Sequence, residues 1–302
     1  MSPAESFDVL IVGGSYAGLS AALTLGRARR RVLVLDAGRP CNRQTPHSHN
    51  FLTRDGVPPA ELAAEARAQL LPYATVRLQA ATVTAAEVQG GGFAVHTAEG
   101  GRYQARKLLL ATGVVDELPP IPGLAECWGI SVLHCPYCHG YEVHSQPLAV
   151  LGNGDVGYEF ARLIQHWSPD LHLLTNGPAA FTAEQAAQLA ARGVRLVEAP
   201  VEAVEHEQGR LHHLRLADGA RLPLTALFAR GALQQSSDLA QRLGCELTET
   251  GLLRADEFGR TAVPGLYAAG DNCTQMRQVA VAAAQGLKAG AFINHELIAQ
   301  DF

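Results

Sequence analysis

The sequence has little that would suit a membrane protein or a nucleic-acid-binding protein. None of its 302 residues lies in a stretch that approaches the ~20 consecutive apolar residues of a membrane-spanning helix. Charged residues make up 18%, the formal net charge is −5, and no Lys/Arg run is longer than Arg29–Arg31. A basic surface is therefore not expected, and we predict neither a membrane nor a nucleic-acid partner.

Cysteine is also scarce. Six cysteines in a chain of this length are too few for a disulfide-stapled scaffold, and only two of them are close in sequence. Residues Met1–Asp8 contain no basic segment of the kind that begins a signal peptide, so we expect a cytoplasmic protein. There, a close cysteine pair indicates redox chemistry or metal binding. The six are Cys41, Cys127, Cys135, Cys138, Cys245 and Cys273.

The close pair lies in His134–Glu142, which reads HCPYCHGYE. Its thiols can close a small disulfide ring if the chain turns there, so we predict a turn or a helix start. Such a position lowers the pKa of a thiol, and the flanking histidines can carry protons, His139 first and His134 second. The two cysteines and two histidines could instead hold zinc. Because adjacent residues rarely ligate one tetrahedral ion, we favour a redox dithiol and predict no metal site.

A glycine turn near the start of the chain predicts a dinucleotide-binding unit. A buried strand at Phe7–Val12 leads into Gly13–Gly18, an alanine-rich helix and a second strand at Arg31–Leu35 that ends at Asp36. Glycine turns of this kind bring backbone N–H groups to a pyrophosphate, and the acid binds a ribose hydroxyl. Ser15 stands where the usual pattern has its middle glycine.

The same arrangement occurs again later in the chain. A strand at Pro147–Leu151 is followed by Gly152–Gly157, a helix and a strand at Asp170–Leu174. This turn has all three glycines of the G-x-G-x-x-G pattern, but Thr175 stands at the position that corresponds to Asp36. The sequence therefore predicts a second Rossmann-like unit without the acid that selects a ribose hydroxyl.

The predicted fold is α/β, with two Rossmann-like dinucleotide-binding domains, one inserted in the other, and small antiparallel sheets. We predict an antiparallel sheet over Val76–Tyr103, a separate strand at Lys107–Ala111, and a last strand of the inserted domain at Leu224–Ala229. The predicted domains are residues 1–115 with 243–302, and residues 116–242. A long helix from Val279 to Ile298 is predicted to end the chain.

Taken in order, these motifs resemble the low-molecular-weight thioredoxin reductases, which are two-domain flavoprotein disulfide reductases. The resemblance covers nearly the whole chain. It rests on GGSYAG with Asp36, Ala111-Thr112-Gly113, the Cys135–Cys138 pair, GNGDVG, and Ala269-Gly270-Asp271 followed by Arg277-Gln278.

The resemblance implies that the first glycine turn binds FAD and that the chain forms a homodimer. It also implies that Cys138 faces the flavin while Cys135 faces the substrate. The residues implied in cofactor binding are Gly13, Gly14, Ser15, Gly18, Asp36, Asn42, Ala111, Thr112, Gly113, Gly270, Asp271, Arg277, Gln278 and Val279.

Two departures from the reductase pattern change the expected function. His139 stands where the reductases have an aspartate, and CPYCHGYE, with the loop around Asn42 and His47–Asn50, resembles the dithiol oxidase branch of the superfamily. The basic run that fixes the 2′-phosphate of NADPH is replaced by uncharged residues at Thr175–Phe181. Since arginine is what binds that phosphate, we do not expect NADPH specificity.

Two functions therefore remain open from the sequence. The first is an FAD-dependent thiol–disulfide oxidoreductase that oxidises a dithiol and passes electrons to oxygen or another acceptor. The alternative is a thioredoxin-disulfide reductase that uses NAD(P)H or an unusual donor. The predicted partner is a dithiol or disulfide substrate, either a small molecule or a thioredoxin-like protein.

Overall fold

The first part of the chain forms most of one large sheet. The computed structural model describes residues 5–302, so the first four residues of the segment Met1–Asp8, in which no signal peptide is predicted, lie outside the described part. The elements, in chain order, are β1 (Glu5–Val12), α1 (Tyr16–Arg27), β2 (Val32–Asp36), α2 (Pro59–Ala68), β3 (Val76–Ala80), β4 (Val83–Gln89), β5 (Gly92–Thr97), β6 (Arg102–Leu110) and β7 (Val114–Glu117).

The middle part of the chain forms a second, smaller parallel sheet. Its elements are α3 (Leu124–Cys127), β8 (Val132–Leu133), α4 (Pro136–His139), β9 (Leu148–Leu151), α5 (Gly154–Ile164), β10 (Leu171–Leu174), α6 (Ala183–Ala191), β11 (Arg195–Val197), β12 (Val201–Glu207), β13 (Arg210–Leu216), β14 (Arg221–Pro223), β15 (Ala226–Ala229), β16 (Ala232–Gln235) and α7 (Leu239–Arg242). The chain then returns to the large sheet through β17 (Leu266–Ala268) and ends with α8 (Val279–Asp301).

The large sheet runs β3-β2-β1-β6-β5-β4, and β17 pairs with the end of β6. Strands β1, β2, β3, β6 and β17 are parallel, whereas β4 and β5 form an antiparallel extension. The predicted antiparallel sheet over Val76–Tyr103 is therefore correct only for β4, β5 and the first half of β6. Residues Val76–Ala80 instead pair in parallel with β2.

The separate strand predicted at Lys107–Ala111 is wrong in its start. β6 is one continuous strand whose first half pairs with β5 and whose second half lies between β1 and β17. Its first half alternates between exposed and buried residues, while Leu108–Leu110 are buried on both faces. One strand thus carries both patterns, because its first half, between β1 and β5, has one exposed face, whereas its second half, between β1 and β17, is covered on both faces.

The smaller sheet runs β11-β10-β9-β15-β8 with all strands parallel, and β12-β13-β14 form the predicted small antiparallel sheet beside it. A further strand, β16, follows the strand predicted to be last. It pairs antiparallel with β7, so the two chain crossings between the sheets form a two-stranded ribbon. Together the two parallel sheets confirm the predicted α/β fold with two Rossmann-like units. The boundaries predicted at residues 115/116 and 242/243 stay a prediction.

Helix α8 packs on α1 with very little space between the backbones. A Cβ atom at Gly286 would lie 2.0 Å from the carbonyl oxygen of Ala17, so only glycine allows this approach. The contact places the first residues of α8 beside the first glycine turn. Among the helices of residues 5–302, none combines the length and the apolar composition of a membrane-spanning segment.

Candidate redox site

The two cysteines of the CPYC segment form a disulfide, with their Cα atoms 5.3 Å apart. Cys135 precedes the single helical turn α4, and its carbonyl accepts from the N–H groups of Cys138 and His139, each at 3.2 Å. Pro136 begins the turn because its fixed φ suits the first helical position and its missing N–H costs no hydrogen bond there. The predicted helix start is thus present, and it brings the sulphur atoms together.

Gln278, the residue directly before α8, contacts the disulfide. Its side-chain amide donates to Sγ of Cys138 at 3.2 Å and to Sγ of Cys135 at 3.3 Å. The sequence analysis placed Gln278 near the flavin, and nothing in the sequence signals a sulphur contact across about 140 positions. Because Gln278 contacts both sulphurs alike, this contact does not distinguish a flavin-facing from a substrate-facing cysteine.

Two uncharged histidines flank the pair. Burial and the nearby positive charge of Arg277 lower the pKa of His134 to about 4, and its ring stacks on Trp128 with centroids 5.6 Å apart. Burial and the neighbouring His49 lower the pKa of His139 to about 4 as well. Both rings are therefore neutral near pH 7, and each can accept a proton at one nitrogen.

A buried network of charges lies behind the disulfide. Arg277 makes two hydrogen bonds to Asp116, at 2.7 and 2.9 Å, and both side chains are under 10% exposed. The same guanidinium lies 3.5 Å from Asp271, whose carboxylate is 3.5 Å from the Cys41 thiol. Removing one partner of such a pair typically costs about 3–5 kcal/mol, because the other charge stays buried.

This network shifts the pKa values of Asp271 and Cys41. It also joins the loop after β2, strand β7 and the segment before α8. Burial raises the pKa of Asp271, and Arg277 partly offsets that rise. Cys41 is exposed as a residue, yet the protein atoms around its thiol and the Asp271 carboxylate raise its pKa to about 11. Cys41 is therefore a poor nucleophile at neutral pH. Asp116, which lies on β7 of the ribbon, was missed by the sequence analysis because it belongs to no motif.

The first glycine turn is close-packed but leaves its N–H groups available. A Cβ atom at Gly13 would lie 2.2 Å from the carbonyl oxygen of Ala111, and one at Gly18 would lie 1.9 Å from that of Gly13. Ser15 precedes α1 without a side-chain cap, and the first turn of α1 has no acidic residue. Within the described chain, no protein acceptor takes the N–H of Gly14 or Ser15. These donors suit a pyrophosphate.

Asp36 lies over this turn. A Cβ atom at Gly14 would be 2.7 Å from the Cβ of Asp36, and the Asp36 carboxylate pairs with Arg67 at 2.9 Å. Both line a cavity of about 490 Å³ beyond the ends of β2 and β3, where α/β sheets bind nucleotides. The cavity, the acid and the free N–H groups fit the adenosine and pyrophosphate parts of FAD.

Other predicted cofactor residues lie in the segments after β2, after β6 and before α8. Asn42 donates to the Tyr16 hydroxyl at 3.4 Å, at the start of α1. The carbonyls of Thr112 and Gly113 are held by the Ser236 hydroxyl, at 2.5 and 2.9 Å, which the sequence analysis missed. The N–H of Gly270 donates to a side chain of α8 at 2.8 Å, and Val279 begins that helix.

In the second glycine turn, the side chain of Asn153 bonds to the turn and to the loop after β10. Oδ1 of Asn153 accepts from the N–H groups of Gly154 and Ala180, each at 2.8 Å, and its amide donates to the Pro178 carbonyl at 2.9 Å. Asp155 lies in the first turn of α5. Asn153 thus takes the N–H of Gly154, and Asp155 adds a negative charge to the first turn of α5, whereas the N–H groups of Asp155 and Val156 have no acceptor among the described residues.

The loop after β10 is closed in a similar way. The N–H of Ala179 donates to the carboxylate of Glu198 at 2.6 Å, and the side chain of Asn176 accepts from Val201 at 2.8 Å. This is the loop in which NADPH-dependent relatives were expected to carry arginines. Here the local charge is negative, which opposes a 2′-phosphate.

Two Rossmann-like units, one with an open glycine turn, and a disulfide held between them define a disulfide oxidoreductase. The chain belongs to the pyridine nucleotide-disulphide oxidoreductase family, whose model matches residues 7–286. It belongs to the thioredoxin reductase-like group of that family, which binds FAD.

Several relatives support this assignment. The chain is 32% identical over 310 residues to thioredoxin reductase tcpT of Claviceps purpurea, covering 99% of this chain and 97% of the relative. An oxidoreductase structure from Agrobacterium tumefaciens is 40% identical with a TM-score of 0.91, covering 97% of this chain and 99% of that one. A putative thioredoxin reductase structure from Bacillus anthracis is 32% identical with a TM-score of 0.93, covering 98% and 100%.

Proposed function

We propose that the chain is an FAD-dependent dithiol oxidase that closes a disulfide in a small dithiol. One substrate thiolate attacks Cys135 of the disulfide, and Cys138 leaves as a thiolate. The second substrate thiol attacks the mixed disulfide, which releases the oxidised substrate and the reduced pair. Two electrons move to the pair, and the two protons of the substrate thiols pass to protein groups or water.

Bound FAD would supply the two-electron acceptor for the reduced pair, with oxygen or another acceptor as the final destination of the electrons. The proposed FAD-binding residues are those implied by the resemblance, some at the first glycine turn and others, such as Arg277 and Gln278, beside the disulfide. Asp36 would bind the adenosine ribose, and the N–H groups of Gly14 and Ser15 would bind the pyrophosphate. The proposed domains are those predicted from the sequence. Residues 1–115 with 243–302 would bind the cofactor, and residues 116–242 would form the inserted domain.

The side chains around the pair support the thiol chemistry. The amide of Gln278 lies within 3.3 Å of both sulphurs, so it can donate to a thiolate at either position. His139 and His134 are neutral near pH 7, so each can take a proton from a thiol as it becomes a nucleophile. His139 directly follows Cys138, and we propose that it is the main proton acceptor.

The observation that carries the oxidase direction is the second glycine turn, in which the Asn153 side chain bonds to the backbone. Asn153 uses the N–H of Gly154 for its own cap, and Asp155 and Glu198 put negative charge where a phosphate would bind. A reduced nicotinamide dinucleotide is therefore a poor electron donor for this chain, and electrons have to enter through the dithiol.

Oxygen uptake by the FAD-loaded protein tests this proposal. With a small dithiol such as dithiothreitol, we expect turnover that consumes oxygen and that disappears in Cys138→Ser. Cys245→Ser is the matched control, since Cys245 is buried in the core of the large sheet. Rapid disulfide reduction driven by NADPH, with no dithiol-dependent oxygen uptake, would contradict it.

The alternative is a thioredoxin-like reductase with an unusual donor. It is favoured by the names of relatives such as the Claviceps protein and by the retained glycines of the second turn. Those glycines also have a packing reason, because a Cβ atom at Gly157 would lie 2.5 Å from the backbone of Gly152. We therefore rank the reductase second. A cytoplasmic homodimer is proposed from the resemblance, and light scattering of the purified protein would test the dimer.

A further inference from the structure

Asp116 lies on the inner face of the ribbon that joins the two units. Along β7 the burial of the residues alternates: Val114 and Asp116 are turned towards the protein, whereas Val115 and Glu117 are exposed. The antiparallel partner β16 holds the register of β7, with Leu233 opposite Asp116. Because successive side chains of a strand point to opposite faces, this pairing fixes the direction of the Asp116 carboxylate.

The segment 274–277, directly before α8, is hydrogen-bonded to other parts of the chain through one side chain. Among the described residues, the backbone N–H groups of Met276 and Arg277 find their acceptors inside the segment itself. The guanidinium of Arg277 makes the bonds that leave it, two to Asp116 at 2.7 and 2.9 Å and a longer one to Asp271 at 3.5 Å. Asp116 is therefore the main anchor of this segment.

Gln278 follows this anchor directly. Its backbone is extended, with φ −139° and ψ 143°, and its carbonyl accepts from the N–H of Ala282 at 2.9 Å. Helix α8 thus fixes the residue on one side, and Arg277 fixes it on the other. A glutamine side chain is flexible, so an amide that bonds both Cys135 and Cys138 needs a backbone that is held on both sides.

The position of this amide matters for the step that opens the disulfide. A bond forms between a substrate sulphur and one cysteine, the S–S bond breaks, and its electron pair goes to the other sulphur, which leaves as a thiolate. A hydrogen bond to a charged acceptor is stronger than one to a neutral acceptor, so the amide of Gln278 stabilises the leaving thiolate more than the disulfide. The amide transfers no proton. It should therefore raise the rate of exchange.

We propose that Asp116 is a positioning residue for this exchange and that it acts through Arg277 and Gln278. The Asp116 carboxylate fixes the guanidinium, the guanidinium fixes the chain before α8, and the amide of Gln278 is thereby held on the two sulphurs. Within the described chain, Asp116 itself has no hydrogen bond to either sulphur. This role depends on the proposed exchange at the cysteine pair and is the same for either direction of electron flow.

The test is the anaerobic reduction of the Cys135–Cys138 disulfide by dithiothreitol in the FAD-loaded chain. Tryptophan fluorescence reports it in a stopped-flow instrument, because Trp128 stacks on His134 beside the pair. We expect Asp116→Asn to slow the reaction about tenfold, which corresponds to about 1.4 kcal/mol. Gln278→Leu should slow it at least as much. Because Asp116 acts through Gln278, the variant that carries both changes should be no slower than Gln278→Leu.

A second variant avoids a buried unpaired charge. Asp116→Asn leaves the guanidinium of Arg277 without its partner, which can prevent folding, whereas apolar replacement of both members of a buried pair is often tolerated. Asp116→Leu with Arg277→Met removes the anchor and both charges together. It should also be about tenfold slower than the unmodified chain. Adding Gln278→Leu to it should slow the reaction no further.

Glu117→Gln is the matched control. Glu117 is the next residue of β7, it is exposed, and its carboxylate accepts from the side chain of Gln234 at 2.8 Å. The variant makes the same change from carboxylate to amide on the outer face of the ribbon, so it should react like the unmodified chain. If the Asp116 variants react at the unmodified rate, or if their loss adds in full to that of Gln278→Leu, the positioning role is refuted. An unmodified chain whose disulfide resists dithiothreitol would instead overturn the proposed exchange, on which this role depends.

Discussion

The two glycine turns of this chain have the same backbone plan and opposite surroundings. In each, a parallel strand leads through glycines into a helix, and the residue 23 positions after the first glycine lies at the end of the next strand, as the last residue of β2 (Asp36) or directly after β10 (Thr175). The first turn has free N–H groups and Asp36 beside a cavity. The second is occupied by the side chain of Asn153 and has Thr175 in place of the acid. Glycines set the geometry of such a turn, and we propose that the neighbouring side chains decide whether it binds a nucleotide.

The largest expected effect comes from placing the residue of the second turn into the first. Gly14 and Asn153 hold the same position in the two motifs. In Gly14→Asn the new Cβ atom would lie within 3 Å of Asp36, and the amide would compete for the turn's N–H groups. A displaced Asp36 carboxylate and an occupied N–H group would each remove a charge-assisted bond to the cofactor worth about 1.5–3 kcal/mol, which corresponds to about a hundredfold weaker FAD binding. The flavin-to-protein absorbance ratio measures this, and Asn153→Gly should leave that ratio unchanged.

The second pair of variants replaces the residue 23 positions after the first glycine of each motif, which is Asp36 in the first and Thr175 in the second. Asp36→Ala loses a charge-assisted bond to the proposed ribose, worth about 1.5–3 kcal/mol. FAD affinity should therefore fall about 10- to 100-fold when apoprotein is titrated with FAD. Thr175→Ala loses only a hydroxyl that bonds the carbonyl of Gly177 at 2.6 Å, so it should keep full FAD affinity. Equal losses in the two variants would contradict the assigned difference between the turns.

Low pH is expected to destabilise the redox segment and not the first glycine turn. His134 and His139 have pKa values near 4 in the folded chain, against about 6.5 when unfolded. Between these values the unfolded state binds more protons, so the free energy of unfolding falls as pH drops from about 6.5 towards 4. Over this pH range, each histidine should account for roughly 1–3 kcal/mol of the fall in the free energy of unfolding.

Urea unfolding at several pH values between neutral and acid measures this dependence. His139→Gln should lower the pH slope of the unfolding free energy by about one proton. His96→Gln is a suitable control, because its ring lies on β5 in the antiparallel extension of the large sheet. An unaltered slope in His139→Gln would show that the ring is not held neutral.

The smallest effect should come from opening the second turn. Asn153→Gly with Glu198→Gln frees the N–H of Gly154 and removes the negative charge beside Ala179. The double variant should bind NADPH weakly, at most about tenfold more tightly than the unmodified chain does, because no arginine is added for the 2′-phosphate. Loss of the Asn153 cap should also lower stability by about 1 kcal/mol. Calorimetric titration with NADPH measures the first effect and thermal unfolding the second.

Much of this difference could be predicted from the sequence, because it depends on local patterns. The strand, turn, helix and strand at each motif, the missing acid at Thr175 and the cysteine pair are all readable from neighbouring residues. The parallel pairing of Val76–Ala80 was not, because an alternating pattern is equally compatible with an edge strand of either direction.

The contacts around the disulfide could not be predicted, since they join distant parts of the chain. Gln278 meets the sulphurs of Cys135 and Cys138, and Arg277 meets Asp116, only after the ribbon and α8 have brought the two units together. The role of Asn153 was missed for a different reason. The glycine pattern allows any residue at that position, and only the structure shows the side chain turned into the turn.

The most direct test of the central claim is the rate of flavin reduction without oxygen, with a small dithiol and with NADPH side by side. If electrons enter through the Cys135–Cys138 pair and the second turn is closed, the dithiol should bleach the flavin absorbance and NADPH should leave it nearly unchanged. Admission of air should then restore the absorbance. Rapid bleaching by NADPH, with no response to the dithiol, would contradict the account.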